Sequence, residues 1–235
     1  MTCSTRSAHA AHMQKTARPK RSASPASTYR SATRPPRRIE RAPARPVPTE
    51  ATIETFRVAS GTALALRPIR PTDADGLRRA FARLTPDQVR LRLFHRMNEL
   101  SEEAAERMTN VDSTTTIAYV VVDGDEEIRA EARLHIDPVT DSAEFAVAVD
   151  PAFTNQGIGW RLIQRLLAEA RRRGLQELWG DVLAENQTML EFAKALGADR
   201  QFRADDPSIT RVSFDLKRVD DAMVAQLPSP ATPTA

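Results

Sequence analysis

The sequence has a single cysteine, Cys3, so no disulfide can form within the chain and nothing indicates an oxidising compartment. It has no apolar run close to the roughly 20 residues that a membrane-spanning helix needs. Its N-terminus also lacks the apolar core of about 7 to 15 residues that a secretory signal carries. We therefore expect a cytoplasmic protein that has no membrane partner.

Acidic residues are scarce in the first fifty residues, which hold 11 of the 34 Lys and Arg residues, only 2 of the 31 Asp and Glu residues, and seven prolines. Such a segment buries too little apolar surface to offset its chain entropy, so we predict that residues 1–50 form a disordered basic tail rich in Pro, Ala and Arg. Three interpretations of this tail stay open: a solvated tail or an over-extended start whose true site lies downstream, a weak electrostatic contact with nucleic acid or acidic partners, and a transit peptide. Residues 51–235 carry 23 basic and 29 acidic side chains, which argues against nucleic acid as a partner.

Apolar residues recur with helical and alternating periods from Phe56 onward, which predicts one domain over residues 56–218 and a flexible C-terminal tail at 219–235. Ser101 and Asn186 are good helix N-caps, and Thr72 with an acidic residue three positions later resembles a capping box. The predicted elements are a strand at 63–69, helices from 72, at 86–94 and at 102–108, strands at 115–122, 128–136 and 144–149, a helix ending at 174, a strand at 178–183, a helix after 186, and strands at 199–203 and 209–216. This order indicates an α/β domain with a mixed sheet and helices on its faces.

A glycine-bearing loop connects one of these strands to the longest helix. The strand Glu144–Val149 runs through residues 150–156 to Gly157 and Gly159, and the amphipathic helix that follows stops at Gly174. A strand that enters a helix in this way presents unpaired backbone N–H groups and the positive end of the helix dipole, which together favour phosphate. No Lys-Ser/Thr pair and no third glycine follow, so the loop is neither a Walker loop nor a dinucleotide fingerprint.

The loop resembles the acetyl-CoA motif Gln/Arg-x-x-Gly-x-Gly/Ala of the GNAT N-acetyltransferases. The segment Thr154-Asn155-Gln156-Gly157-Ile158-Gly159 fills the motif except at its first position, where threonine replaces Gln or Arg. The flanking segments AEFAVAV, LAENQTML and RLRLF…ELS resemble the catalytic domain of bacterial Pat-type protein lysine acetyltransferases, over most of residues 62–217. The resemblance implies a mixed, mostly antiparallel twisted sheet with helices on both faces, and acetyl-CoA as the co-substrate without a metal.

The resemblance also implies which residues bind the cofactor. The pantetheine arm is expected to pair like a strand with the backbone of Val147 and Val149, and the pyrophosphate is expected at the start of the helix. Asn186 matches a family position that contacts the cofactor, although an N-cap role explains it equally well. The full expected set is Val147, Val149, Thr154, Asn155, Gln156, Gly157, Ile158, Gly159, Trp160, Arg161 and Asn186.

Glu144 is the predicted general base. A lysine with a pKa of about 10.4 must lose a proton before it attacks, at a cost of roughly 4 to 5 kcal/mol at neutral pH. A carboxylate on an otherwise apolar strand is costly unless it is exposed, paired or used, and partial burial would raise its pKa toward the range that suits a base. The Pat-type resemblance assigns the same role to this position. Many members of the GNAT family carry a tyrosine in the helix after 186, which protonates the leaving thiolate. The stretch 192–196 holds no tyrosine, so no general acid is assigned.

The sequence therefore predicts an N-acetyltransferase that acts on a primary amine, with a protein lysine, such as one on an acyl-CoA synthetase, as the preferred acceptor. Two alternatives stay open. One is an acetyltransferase for a small-molecule amine or a peptide N-terminus. The other is a non-catalytic acyl-CoA sensor, which Thr154 and the missing tyrosine would suit.

Overall fold

An eight-stranded sheet and five α-helices form the part of the chain that this computed structural model describes, residues 53–94, 97–137 and 139–219. The predicted tail at 1–50 lies outside the described residues, and so does the predicted tail at 219–235 except for Val219, which is buried. The strands are β1 (Glu54–Arg57), β2 (Ala63–Pro68), β3 (Thr116–Val122), β4 (Ile128–Asp137), β5 (Ser142–Val149), β6 (Glu177–Leu183), β7 (Asp199–Phe202) and β8 (Ile209–Asp215). The helices are α1 (Ala74–Arg83), α2 (Pro86–Leu93), α3 (Glu102–Thr109), α4 (Ile158–Arg172) and α5 (Gln187–Ala195).

The strands follow the spatial order β1-β2-β3-β4-β5-β6-β8-β7. Every neighbouring pair is antiparallel except β5 and β6, which are parallel. Strands β3, β4 and β5 form the expected meander, because short turns connect them. The prediction of a mixed, mostly antiparallel sheet is confirmed.

The two faces of the sheet pack against different helices. Ala118, Val120 and Val122 of β3 lie in a core with residues of α1 and α3, whereas Tyr119 and Val121 of the same strand lie in a larger core with residues of α4 and α5. This separation follows from the period of two along a strand. It confirms that helices cover both faces.

The first helix differs from its prediction. A 3₁₀ turn (Pro71–Asp73) precedes α1, which begins at Ala74 and has no side-chain cap from Thr72. The reason is the buried Asp73, whose carboxylate accepts hydrogen bonds from Arg67 at 2.8 and 2.9 Å and from the Arg70 amide at 2.7 Å. This ion pair organises the turn in place of the expected capping box.

Strand β1 has no counterpart among the predicted elements, and it begins two residues before the expected start of the domain. Its four residues are exposed except for Phe56, so they show no alternating apolar pattern. The other helix caps follow the sequence: Ser101 accepts from the Ala104 amide and Asn186 from the Met189 amide, at 3.2 and 3.1 Å.

Candidate active site

A cleft opens where β5 and β6 separate. These two strands pair only from Ser142↔Glu177 to Glu144↔Trp179, and beyond that point β5 pairs with β4 alone among the described residues. The β6-facing backbone groups of residues 146–149 therefore have no strand partner, which is unusual for polar groups inside a sheet. They offer hydrogen-bonding groups to a ligand that lies in the cleft.

Phe145 and Gly180 mark the point of separation. A Cβ atom on Gly180 would lie 3.0 Å from two ring carbons of Phe145 and 3.2 Å from its carbonyl oxygen. The Phe145 ring is buried and packs on Phe214, with ring centroids 6.1 Å apart. The ring thus occupies the space beside β6 that a side chain at position 180 would need.

The glycine loop, residues 154–159, follows at the open end of β5. None of the amide groups of residues 155–160 has a hydrogen-bond acceptor in a loop or turn of the described chain. Asn155 and Gly157 adopt left-handed backbone conformations, with φ of 59° and 82°, and α4 begins at Ile158 without a side-chain cap. Free N–H groups and a helix N-terminus at one place are suited to binding an anion.

Gly159 supports a ligand beside this loop. Its backbone is not left-handed, and a Cβ atom there would meet only the Phe192 ring, at an ordinary 3.7 Å. Neither the backbone conformation nor the packing of the chain requires glycine at this position, although glycine weakens a helix relative to alanine. The Gly159 backbone is therefore open to the close approach of a ligand.

Most side chains of the glycine loop contact the protein itself. The Thr154 hydroxyl donates to the Pro151 carbonyl at 3.0 Å, and the Gln156 amide donates to the Ala152 carbonyl at 3.2 Å. The Gln156 carbonyl oxygen also accepts from the Ser60 hydroxyl at 3.0 Å. The backbone of the loop is therefore its free surface.

The remaining predicted cofactor residues occupy three kinds of position. Ile158 and Trp160 are buried in the core, so they can reach a ligand only through their amides. Arg161 pairs with Glu54 at 3.1 Å and lies over the Phe56 ring, 4.5 Å from its centroid, so β1 holds its guanidinium. Asn186 serves as the N-cap of α5.

Glu144 lies on the face of the sheet that carries α2, in register with His135 of β4 and Trp179 of β6. The residue is exposed, and its carboxylate has no hydrogen bond or ion pair with another described residue. The surrounding protein still raises the pKa of this carboxyl, mainly by partial removal from water and then by the negative charge of Asp181, against the opposing effect of Arg92. An unpaired carboxylate with a raised pKa suits a proton acceptor.

The sequence did not identify the charged neighbours of Glu144. Asp181 of β6 accepts from Arg203 at 3.0 Å and from Arg211 at 2.9 Å, and the Arg211 guanidinium lies 3.8 Å from the centroid of the Trp179 ring. Only the alternation of β6 hinted that positions 179 and 181 share a face. The register of β5 with β6, which brings them to Glu144, has no sequence signal.

The described residues hold neither a cluster of metal-ligand side chains nor a helix suited to crossing a membrane. No three His, Cys, Asp or Glu side chains in this part of the chain are grouped as metal ligands would be. No helix in the described ranges is both long and apolar enough to cross a membrane.

The family model for the acetyltransferase (GNAT) family matches residues 80–198, about half of the chain. The chain belongs to the acetyltransferase (GNAT) family. The match includes the cleft, the glycine loop and Glu144, and it identifies the protein as an acyltransferase.

Individual members of the GNAT family are only moderately similar to the chain. It is 27% identical over 149 residues to an acetyltransferase of Pseudomonas aeruginosa, covering 62% of this chain and 80% of that protein. It is 38% identical over 53 residues to the ribosomal protein bS18 alanine N-acetyltransferase of Escherichia coli, which is 23% of this chain but only 36% of that enzyme. The crystal structure of the GNAT domain of S. lividans PAT has a TM-score of 0.64 at 24% identity, covering 69% of this chain and 96% of that domain, which confirms the fold.

Proposed function

We propose that this GNAT-family protein transfers an acetyl group from acetyl-CoA to a primary amine, with a protein lysine as the preferred acceptor and Glu144 as the general base. One observation carries the proposal: the cleft beside β5 leads from the amides of the glycine loop to the Glu144 carboxylate, which has a raised pKa and no partner among the described residues. A phosphate site and a proton acceptor joined by a strand edge suit an acyl-CoA and an amine.

The cofactor would bind largely through the protein backbone. The amides of Gly157, Ile158 and Gly159 would donate to the pyrophosphate, at the positive end of α4. The unpaired backbone of Val147 and Val149 would pair with the pantetheine arm, as a neighbouring strand would. Backbone donors at this edge would also stabilise negative charge that develops on the thioester oxygen.

Glu144 would accept the proton of the ammonium group, directly or through water, before the amine attacks the thioester. The carbon–nitrogen bond forms as the carbon–sulfur bond breaks, and CoA leaves as the thiol once it has gained a proton. The base works only when it is ionised, and its pKa is raised. We therefore expect kcat/KM to rise with pH above the range in which an ordinary glutamate ionises.

The choice of a protein lysine rests on the Pat-type resemblance of the segments around the loop and of residues 90–101. An acyl-CoA synthetase would be the first acceptor to test, and a cytoplasmic location would follow from such a partner. A small-molecule amine or a peptide N-terminus would use the same cleft and base, so the acceptor panel below includes both.

The test compares the full-length chain with Glu144→Gln, using labelled acetyl-CoA and four acceptors: an acyl-CoA synthetase, a lysine peptide with a blocked N-terminus, a lysine-free peptide with a free N-terminus, and spermine. Mass spectrometry locates the label. We expect label on lysine, and a loss of about 100-fold or more in kcat for Glu144→Gln with unchanged acetyl-CoA affinity. Glu177→Gln is the matched control, because Glu177 lies on the neighbouring strand where β5 and β6 remain paired.

Three results would contradict the proposal in different ways. Label only on spermine or on the N-terminal amine would reject a lysine acceptor. Equal turnover by the parent and Glu144→Gln would reject the base. Binding of acetyl-CoA by a parent that acetylates none of the four acceptors would favour the non-catalytic sensor.

A further inference from the structure

Asp150 is a buried carboxylate at the junction between β5 and the glycine loop, and the proposed reaction does not use it. It is 6% exposed and directly follows the last residue of β5. Burial alone would raise its pKa, but hydrogen bonds from the Ala152 amide, Arg129 and Arg83 outweigh this effect and hold the pKa below the ordinary range. The group is therefore a charged anchor at neutral pH.

One side of this anchor faces the loop. Asp150 Oδ1 accepts from the Ala152 amide at 3.0 Å and so caps the short 3₁₀ helix Pro151–Phe153. The carbonyl of Ala152 in turn accepts from Gln156, and the carbonyl of Pro151 accepts from Thr154. The shape of the glycine loop is thus built on the 3₁₀ helix that Asp150 caps.

The other side faces two arginines. Asp150 Oδ2 accepts from Arg83 Nε at 2.8 Å and from Arg129 Nη1 at 3.1 Å. Arg129 is on β4, and its guanidinium lies 5.1 Å from the centroid of the Phe153 ring in the same 3₁₀ helix. Arg83 is the last residue of α1, a helix on the face of the sheet opposite α4.

Arg83 itself is fixed from several sides. Its Nη1 donates to Glu127 at 2.9 Å and its Nη2 to the carbonyl of Ile128 at 2.5 Å. A guanidinium held by two other acceptors presents its Nε in one direction, and a charge-assisted hydrogen bond from such a donor is strong and directional. Arg83 is therefore held by acceptors other than Asp150, and it offers the Asp150 carboxylate a donor of fixed direction.

We propose that Arg83 and Asp150 are positioning residues for the cofactor, which hold the glycine loop in its acetyl-CoA-binding shape from the opposite face of the sheet. This inference rests on the proposed function, because it assumes that the glycine loop binds acetyl-CoA. Neither side chain needs to touch the cofactor. Their effect passes through the Asp150 cap to the 3₁₀ helix and then to the free amides of the loop.

Arg79 provides a matched control on the same helix. It lies one turn before Arg83 and donates to the same Glu127 at 2.8 Å, but it has no contact with Asp150. Arg79→Met and Arg83→Met each remove one ion pair with Glu127. Only Arg83→Met also removes the hydrogen bonds to Asp150 and to the Ile128 carbonyl, so loss of the Glu127 ion pair alone would affect the two variants alike.

The experiment titrates full-length parent, Arg83→Met, Arg79→Met and Arg83→Lys with acetyl-CoA by calorimetry, and then measures steady-state kinetics. We expect Arg83→Met to weaken acetyl-CoA binding roughly tenfold, about the effect of one charge-assisted hydrogen bond. Its KM for acetyl-CoA should rise, while kcat at saturation and the pH dependence assigned to Glu144 stay unchanged. Arg79→Met should bind like the parent, and Arg83→Lys should regain part of the affinity.

Equal weakening in Arg79→Met and Arg83→Met, or no weakening in either, would overturn the inference. If Arg83→Met does not fold, Asp150→Asn replaces it, because asparagine keeps an oxygen for the Ala152 amide and removes the charge that the arginines bind. Unchanged acetyl-CoA affinity in Asp150→Asn would then overturn the inference. A parent that binds no acetyl-CoA would instead contradict the proposed function.

Discussion

Replacing Gly180 with alanine tests whether the close packing of Phe145 requires glycine at position 180. The added methyl group would lie 3.0 Å from two ring carbons of Phe145 and 3.2 Å from the Phe145 carbonyl oxygen. The ring has little room to withdraw, because it is buried and packs against Phe214. The methyl group must therefore displace either the ring or the β5 backbone.

The size of the effect follows from two opposing contributions. An extra methyl group in a packed core costs about 1 to 3 kcal/mol. Alanine also reduces the conformational entropy of the unfolded chain, which stabilises the folded state by about 0.4 to 1 kcal/mol. The net loss is about 1 to 2 kcal/mol, which lowers the Tm by about 2 to 8 °C for a domain of about this size.

The assay is thermal unfolding of the parent, Gly180→Ala and the control Gly124→Ala. Gly124 is exposed in the β3–β4 turn, and a Cβ atom there meets nothing within 4 Å, so its Tm should change little. A Gly180→Ala variant as stable as Gly124→Ala would refute the contact between Phe145 and Gly180 as the reason for glycine at position 180.

Two further predictions concern α4. Gly159→Ala should stabilise the fold by up to about 1 kcal/mol, because alanine is the better helix residue and its Cβ atom meets only Phe192, at 3.7 Å. The same variant should weaken acetyl-CoA binding. Unchanged affinity in calorimetry would contradict the assignment of the glycine loop. Burial would raise the pKa of Glu169, but hydrogen bonds from Arg172 and Arg173 lower it, so this group stabilises the fold at neutral pH and loses its effect as the pH falls below about 4.5. The Tm difference between the parent and Glu169→Gln should therefore shrink with acidification, and a difference independent of pH would argue against these pairs.

Local signals in the sequence predicted much of the fold correctly. Ser101 and Asn186 cap the helices that they were expected to cap, and Gly174 lies in a left-handed conformation just beyond α4. The strands predicted at 115–122, 128–136 and 144–149 follow one another closely in the chain, and they form the neighbouring strands β3, β4 and β5. These features depend on residues that are close together in the chain.

Features that depend on distant residues were not predictable. Arg161 contacts Glu54, 107 positions away, and no periodicity reveals that partner. Nothing in the sequence around Asp73 indicates that it pairs with Arg67, or that α1 begins after it. The packing of Phe145 on Gly180, next to the last register pair of β5 and β6, depends on the shapes of two strands that are distant in sequence.

The candidate site likewise contains a part that the sequence predicted and a part that only the fold revealed. The glycine loop was recognisable because its residues are consecutive, whereas the charged residues near Glu144 come from α2, β6 and β8. The pairing of Arg83 with Asp150 links residues 67 positions apart, so it too emerged only from the fold.

The short β5–β6 pairing also bears on how the sheet holds together. Three register pairs join the five strands β1 to β5 to the three strands β6, β8 and β7. If acetyl-CoA occupies the cleft as proposed, its pantetheine arm supplies the backbone-like partner that β6 withholds from residues 146–149. The cofactor would then act as a removable ninth strand segment. In each catalytic cycle, its binding would fill the gap between β5 and β6, and its release would open the gap again.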